Sequence, residues 1–223
     1  MGRIALSVVA HRLRTQYGKP PAPLADPWHL VLWENVCYLG DDDRRAAAFD
    51  LLKKHTGLKP AKIAAASDDV LMEVTRHGIM AEARVGKLRE CAEIALKEFD
   101  GTLKPLLDWP AAKAAKALQK FPGIGAPGAE KILLFCRRLP VLALESNGVR
   151  TLTRLGFAKD TGDYAKTYRK LRDAVATEAG EDYGHLIAAH FLLRRHGQEI
   201  CKAKPRCAEC VLAIDCPSAN VPW

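Results

Sequence analysis

The sequence predicts an all-α fold, and three observations carry that expectation. Apolar residues recur at three- and four-residue spacing along the 223 residues, with no sustained alternation of period two. Helix punctuation is frequent, with acidic residues leading, basic residues trailing and glycine closing. Connections are short and rich in Pro, Gly and Asp, and no internal repeat of solenoid length interrupts them.

The elements follow in order. MGRIALSVVAHRLR has apolar positions at helical spacing over a short stretch, so it reads as a first helix and not as a signal peptide. Leu6 breaks the myristoylation pattern. Pro20, Pro21 and Pro23 then separate this helix from DPWHLVLWENV. Asp41, Asp42 and Asp43 open RRAAAFDLLKKH, which Gly57 closes, and Ser67 opens DDVLMEVTRHG, closed by Gly78. Further helices are expected around 82–98, 110–120, 127–138, 148–155, 164–178 and 183–196, with a break at Pro140.

Hydrophobic residues make up 48% and charged residues 27%, the balance of a soluble globular protein with a genuine core. No apolar run approaches the roughly 18–20 residues that cross a bilayer, so no membrane partner is expected. The formal net charge of +8 fits either a solvated basic face or a footprint for nucleic acid. Of seven cysteines, Cys37, Cys91 and Cys136 are scattered in apolar, helix-like surroundings and read as packed thiols. The odd total and the absence of an export signal argue for a reducing compartment and against a disulfide framework.

The other four cysteines form CKAKPRCAECVLAIDC, a C-x5-C-x2-C-x5-C pattern at Cys201, Cys207, Cys210 and Cys216. Thiolates so crowded repel one another unless a metal holds them. A tetrahedral Zn2+ and a four-cysteine iron–sulfur cluster both fit, and spacing alone favours zinc. No fifth ligand is evident beside the pattern, so the expected role is structural. Lys202, Lys204 and Arg206 lie in its first loop, where they can face phosphates. A second motif, FPGIGAPGAEK at 121–131, sets two glycines behind a proline before a helical run. Such a turn lets the backbone approach a strand and offers N–H groups to a phosphate.

Four motifs together resemble the helix–hairpin–helix DNA glycosylases of the endonuclease III and MutY group. HFLLRRHGQEICKAKPRCAEC is similar to that group's C-terminal end, where His–Gly precedes the first ligand of a [4Fe–4S] cluster; the first cysteine loop here is one residue shorter. LQKFPGIGAPGAEKI matches the L-P-G-V-G hairpin. LESNGVRTLTRLG matches V-D-x-[HN]-V/I-x-R, with Glu145 at the position of the essential aspartate, Asn147 and Arg150 in register, and Arg154 as a second arginine. DPWHLVLWENVCYL resembles P-Y-x-x-W-L-S-E-V-M-L, which aligns Glu34 with the MutY acid. Ser146 or Asn147 also suits a plain helix cap, and Glu34 an exposed helix glutamate.

The resemblance implies two helical domains. One is a central barrel-like domain over 27–140 with its helix–hairpin–helix at 118–135. The other is discontinuous, built from 1–26 and 141–223, and ends in the iron–sulfur loop at 201–216. It implies a monomeric DNA repair glycosylase that acts on double-stranded DNA carrying a lesion or mismatch, in the cytoplasm at the nucleoid. Glu145 would stabilise the oxocarbenium-like sugar, and Glu34, among Trp28, Leu30, Leu32, Trp33 and Val36, would protonate the leaving base. Gly123, Ile124, Gly125, Gly128, Asn147 and Lys131 would contact DNA, and Tyr38 would fill the gap left by a flipped base. The Asp41–Asp43 run reads as a helix start turned away from the duplex.

Relatives that nick the strand use a lysine nucleophile where this chain has Pro127. Lys131 and Lys120 miss that position and read as phosphate contacts or surface charge, so a monofunctional enzyme is expected. The implied cofactor is [4Fe–4S], with Zn2+ as the alternative. A catalytically silent lesion-binding protein of the same fold is the alternative function. Alkylated purines, uracil and mismatched thymine all stay open as substrates.

Overall fold

In the computed structural model, which describes residues 3–220, the described chain is helical throughout and contains no strand. It divides into two compact units, one from Leu24 to Cys136 and the other from the chain on either side of that segment.

The central unit starts with α2 (Pro27–Val36). Proline fills its first position, and the Asp26 side chain accepts from the N–H groups of Trp28 and His29, satisfying two of the helix's orphan donors. Helix α3 (Asp42–Thr56) is capped by Asp41, carries Asp42 and Asp43 in its first turn, and ends on Gly57 in a left-handed conformation. Helices α4 (Pro60–Ala64), α5 (Asp68–Thr75), α6 (Ala81–Phe99), α7 (Ala111–Leu118) and α8 (Ala126–Phe135) follow. Leu32, Leu52, Ile63, Leu71, Leu88, Leu118 and Ile132 are fully buried and form the core. Phe121 stacks on Phe99 at 5.7 Å and lies 6.4 Å from Trp28, whose indole N–H donates to the Leu58 carbonyl at 2.7 Å.

Two features differ from the sequence expectation. Helix α4 has only five residues and a single buried side chain, Ile63, so it offers no periodicity to read. Helix α8 stops at Phe135 instead of reaching 138, because Arg137 adopts φ +56°, a conformation that no glycine announces.

The second unit comprises α1 (Leu6–Tyr17), α9 (Ser146–Arg154), α10 (Tyr164–Ala179) and α11 (Tyr183–Glu199), followed by the cysteine loop. Val9, Leu13, Leu144, Leu152, Tyr168, Leu171, Val175 and Leu193 make its core. Helices α9 and α11 approach so closely that a Cβ on Gly197 would lie 2.7 Å from the Asn147 carbonyl oxygen. No residue larger than glycine fits there.

Candidate active site and cluster loop

Glu145 is the N-cap of α9, a role that the sequence suggested for Ser146 or Asn147. Its Oε1 accepts from the backbone N–H groups of Asn147 at 2.8 Å and Gly148 at 3.0 Å, and its Oε2 from Asn147 Nδ2 at 2.8 Å. Both oxygens of a half-buried carboxylate are therefore fixed by donors from a single turn. Asn147 Oδ1 in turn accepts from Arg150 Nη2 at 2.6 Å. Arg150 also donates to the carbonyls of Gly197 and Cys201, each at 2.8 Å. Arg154 reaches the Lys202 carbonyl at 2.6 Å, the Ala203 carbonyl at 3.1 Å and Cys201 Sγ at 3.4 Å. A continuous hydrogen-bond path thus joins Glu145 to the first cysteine of the loop. Tyr164, at the start of α10, has its phenol pushed up to about 12, first by burial and then by the charge of Glu145.

The loop folds around two 3-10 turns, Cys207–Glu209 and Ala213–Asp215, with Leu212 buried between them. None of the four cysteines forms a disulfide. Burial raises the Cys210 and Cys216 thiols, and the charges of their neighbouring cysteines raise them further, so the four sulfurs share one neighbourhood. Among the described residues, no three His, Cys, Asp or Glu side chains are arranged to hold one metal ion. Four thiols in one neighbourhood are the donor set of a four-cysteine iron–sulfur cluster or of a zinc site. Cys91 and Cys136, by contrast, are thiols pushed up to about 12 with burial as the first cause.

In the central unit, the hairpin between α7 and α8 turns at Gly123, where φ is +75°. Asn35, fully buried on α2, donates to the Pro122 carbonyl at 2.9 Å and pins this turn. A Cβ on Gly123 would meet Asn35 Oδ1 at 3.2 Å. Asn35 is a lone amide in an apolar helix, which is the mark it leaves in the sequence. Gly125 caps α8 without a side-chain acceptor, which leaves the backbone donors of the first turn to an incoming oxygen. Ile124 does not point outward: it is 4% exposed and its N–H donates to the Phe121 carbonyl at 3.1 Å. Its contribution is to anchor the turn.

Lys131 is not a surface charge. Its Nζ lies 2.8 Å from Glu34 Oε1, and the two side chains are only 14% and 18% exposed. Arg45 Nη1 is 3.8 Å from the same oxygen. The apolar surroundings expected for Glu34 are thus completed by two cations, because α3 and α8 both pack on α2. Lys120 instead pairs with Glu98 at the surface.

Tyr38 lies under the guanidinium of Arg84 at 4.3 Å, on a loop that neighbours the one before α6. The Ile79 N–H donates to the Tyr38 carbonyl at 3.0 Å, and a Cβ on Gly78 would lie 2.5 Å from Tyr38 N. These joined loops expose Tyr38, Leu39, Ile79 and Met80, with Leu39 and Met80 in left-handed backbone conformations. Bulky residues held that way cost on the order of 1 kcal/mol each, a cost that proteins retain mainly at functional tips. Of these four, only Tyr38 stands out in the sequence, because Ile79 and Met80 reach it only when the loops meet and nothing marks Leu39 as left-handed.

No family profile matches the chain. It is 26% identical over 183 residues to an endonuclease III of Sulfolobus acidocaldarius, covering 78% of this chain and 74% of the relative. A thymine/uracil-DNA glycosylase of Pyrobaculum aerophilum is 25% identical over 155 residues, covering 69% of this chain and 64% of that protein. Among solved structures, the endonuclease III of a non-covalent complex with DNA superposes with a TM-score of 0.75 over 96% of this chain and 94% of its own, at 16% identity.

Proposed function

We propose that the chain is a DNA repair glycosylase of the helix–hairpin–helix superfamily that hydrolyses the N-glycosidic bond of a damaged or mismatched base without cutting the strand, a reading that its endonuclease III-like fold supports. The observation that carries this reading is the carboxylate of Glu145, held on both oxygens and tied through Asn147 and Arg150 to the cysteine loop. A pre-positioned negative charge is worth most against an oxocarbenium-like sugar, where positive charge develops only in the transition state. Glu34 is the second carboxyl group, and its proton would assist the departing base. Lys131 must release Glu34 before that proton can be held, so their ion pair belongs to the resting protein.

Two features support hydrolysis by water. Pro127 has no amine to form a Schiff base, and in the resting protein the amine of Lys131 is paired with Glu34. Gly123, Gly125 and Gly128 would let the hairpin grip a DNA phosphate, and Tyr38 would occupy the gap left by a base turned out of the stack. Asn147 would act by holding Glu145. Cys201, Cys207, Cys210 and Cys216 would hold a [4Fe–4S] cluster that shapes the loop carrying Lys202, Lys204 and Arg206. We expect a monomer acting on DNA in the cytoplasm; among the described residues, no helix is long and apolar enough to cross a membrane.

A second reading rests on the same cap. Three N–H donors already occupy the Glu145 carboxylate, so its service can end at capping α9, leaving a protein that binds lesions without chemistry. A panel of duplexes carrying uracil, mismatched thymine or alkylated purines separates the two. The glycosylase reading expects abasic product from at least one duplex, reduced ~100-fold or more in Glu145→Gln. Tight binding with no product from any duplex establishes the binder instead. Broad visible absorption of the purified protein is the expected sign of the cluster, and a colourless zinc protein would overturn that assignment.

A further inference from the structure

Cys210 has a partner that neither the carboxylates nor the hairpin uses. His196, near the end of α11, is 1% exposed. Its Nε2 lies 3.4 Å from Cys210 Sγ, and its Nδ1 lies 3.1 Å from the Tyr17 hydroxyl. Tyr17, the last residue of α1, is itself fixed. Its ring meets the imidazole edge-on at 6.1 Å, Arg195 covers it at 4.8 Å, and Arg195 Nη1 donates to its carbonyl at 3.3 Å. A line of three side chains therefore runs from the end of α1 to the cysteine loop, all within one unit.

The chemistry of the two ends decides the direction of the line. A neutral imidazole has one N–H, and a ligating thiolate only accepts. The proton must then sit on Nε2, which leaves Nδ1 to accept from the Tyr17 hydroxyl. The Tyr17 hydroxyl satisfies Nδ1 in that tautomer, whereas phenylalanine at 17 would remove this partner and loosen the ring.

We propose that His196 is a positioning residue that donates an N–H···S hydrogen bond to Cys210, with its ring held by Tyr17, and so raises the reduction potential of the cluster that the four cysteines would hold. The inference rests on the four-cysteine cluster reading above. A donor on a ligand sulfur draws off negative charge, and reduction adds negative charge, so the bond favours the reduced state. Arg154 gives Cys201 a similar contact at 3.4 Å. His196 differs in being buried and in having its ring held by a second residue.

The test is voltammetry of cluster-loaded protein without DNA, comparing wild type with Tyr17→Phe, His196→Gln and His196→Leu at matched visible absorption. The expected result is a shift to lower potential in His196→Leu, a smaller shift in the same direction in Tyr17→Phe, and partial retention in His196→Gln, whose amide still offers an N–H. A merely structural role would reduce cluster content but leave the potential of the loaded fraction unchanged. Unchanged potentials in loaded His196→Leu and Tyr17→Phe overturn the proposal. Tyr17→Phe removes one oxygen atom, so it decides the matter if His196→Leu fails to fold. A wild type that purifies colourless with zinc overturns the cluster reading beneath it, an outcome distinct from a coloured protein whose potential does not move.

Discussion

At the scale of single residues, two carboxyl groups stand in unlike settings. Glu145 is held by neutral N–H donors, and Glu34 by the cations of Lys131 and Arg45. The Glu34–Lys131 pair is mostly buried, so removing one partner strands the other's charge. Lys131→Met is expected to destabilise the protein by about 1–3 kcal/mol, and most of that loss should vanish when Glu34→Gln is added. Urea denaturation of both single variants and the double variant measures the coupling; strictly additive losses would show that the pair contributes nothing. Both glutamates were legible in the sequence because motif spacing locates them. The Lys131 contact was not, because it depends on how α8 packs on α2.

At the scale of elements, punctuation made the long helices legible, and short or strained segments escaped it. Asp41, Gly57 and Ser67 mark their helix ends as elementary capping predicts. Helix α4 and the left-handed Arg137 carry no such mark. The meeting of α9 and α11 at Gly197 gives a sharp prediction. Gly197→Ala places a methyl 2.7 Å from the Asn147 carbonyl oxygen, so the two helices must separate. The expected cost is about 1–3 kcal/mol in thermal or chemical denaturation, together with a loss of glycosylase activity as Asn147 moves under Glu145. An alanine variant of wild-type stability would contradict the tight approach.

Helix α1 supplies a pH test. Its N-cap, Ala5, has no side-chain acceptor, and Glu178 from α10 takes that place by accepting from the Leu6 N–H at 2.8 Å and pairing with Arg3. The Leu6 N–H first and Arg3 second hold the Glu178 carboxyl below its ordinary value of 4.5. A carboxyl whose value falls on folding stabilises fully above the unfolded value and loses that contribution as pH drops through the folded one. Stability should therefore decline below about pH 4.5 more steeply in wild type than in Glu178→Gln. The neutral-pH difference should be no more than about 1 kcal/mol. Parallel acid limbs in the two proteins would show that Glu178 does not cap α1.

At the scale of the whole molecule, the net charge of +8 falls on the unit that carries the cysteine loop, and that basic excess fits a partner of phosphates. Duplex affinity should fall linearly with salt on logarithmic axes, and salt-independent binding would rule out a phosphate-dominated contact. The all-α class was legible in the periodicity, and the cysteine spacing located the loop. The hydrogen-bond path from Glu145 to Cys201 was not, since its members lie far apart in sequence. Chemistry by carboxylates and water leaves the strand whole, so strand integrity after base loss tests it most directly. On a duplex the protein acts upon, the lesion strand should stay whole and break only after alkali, with no adduct trapped by borohydride. A strand cut without alkali, with borohydride-trapped protein that disappears in Lys131→Ala, would contradict it.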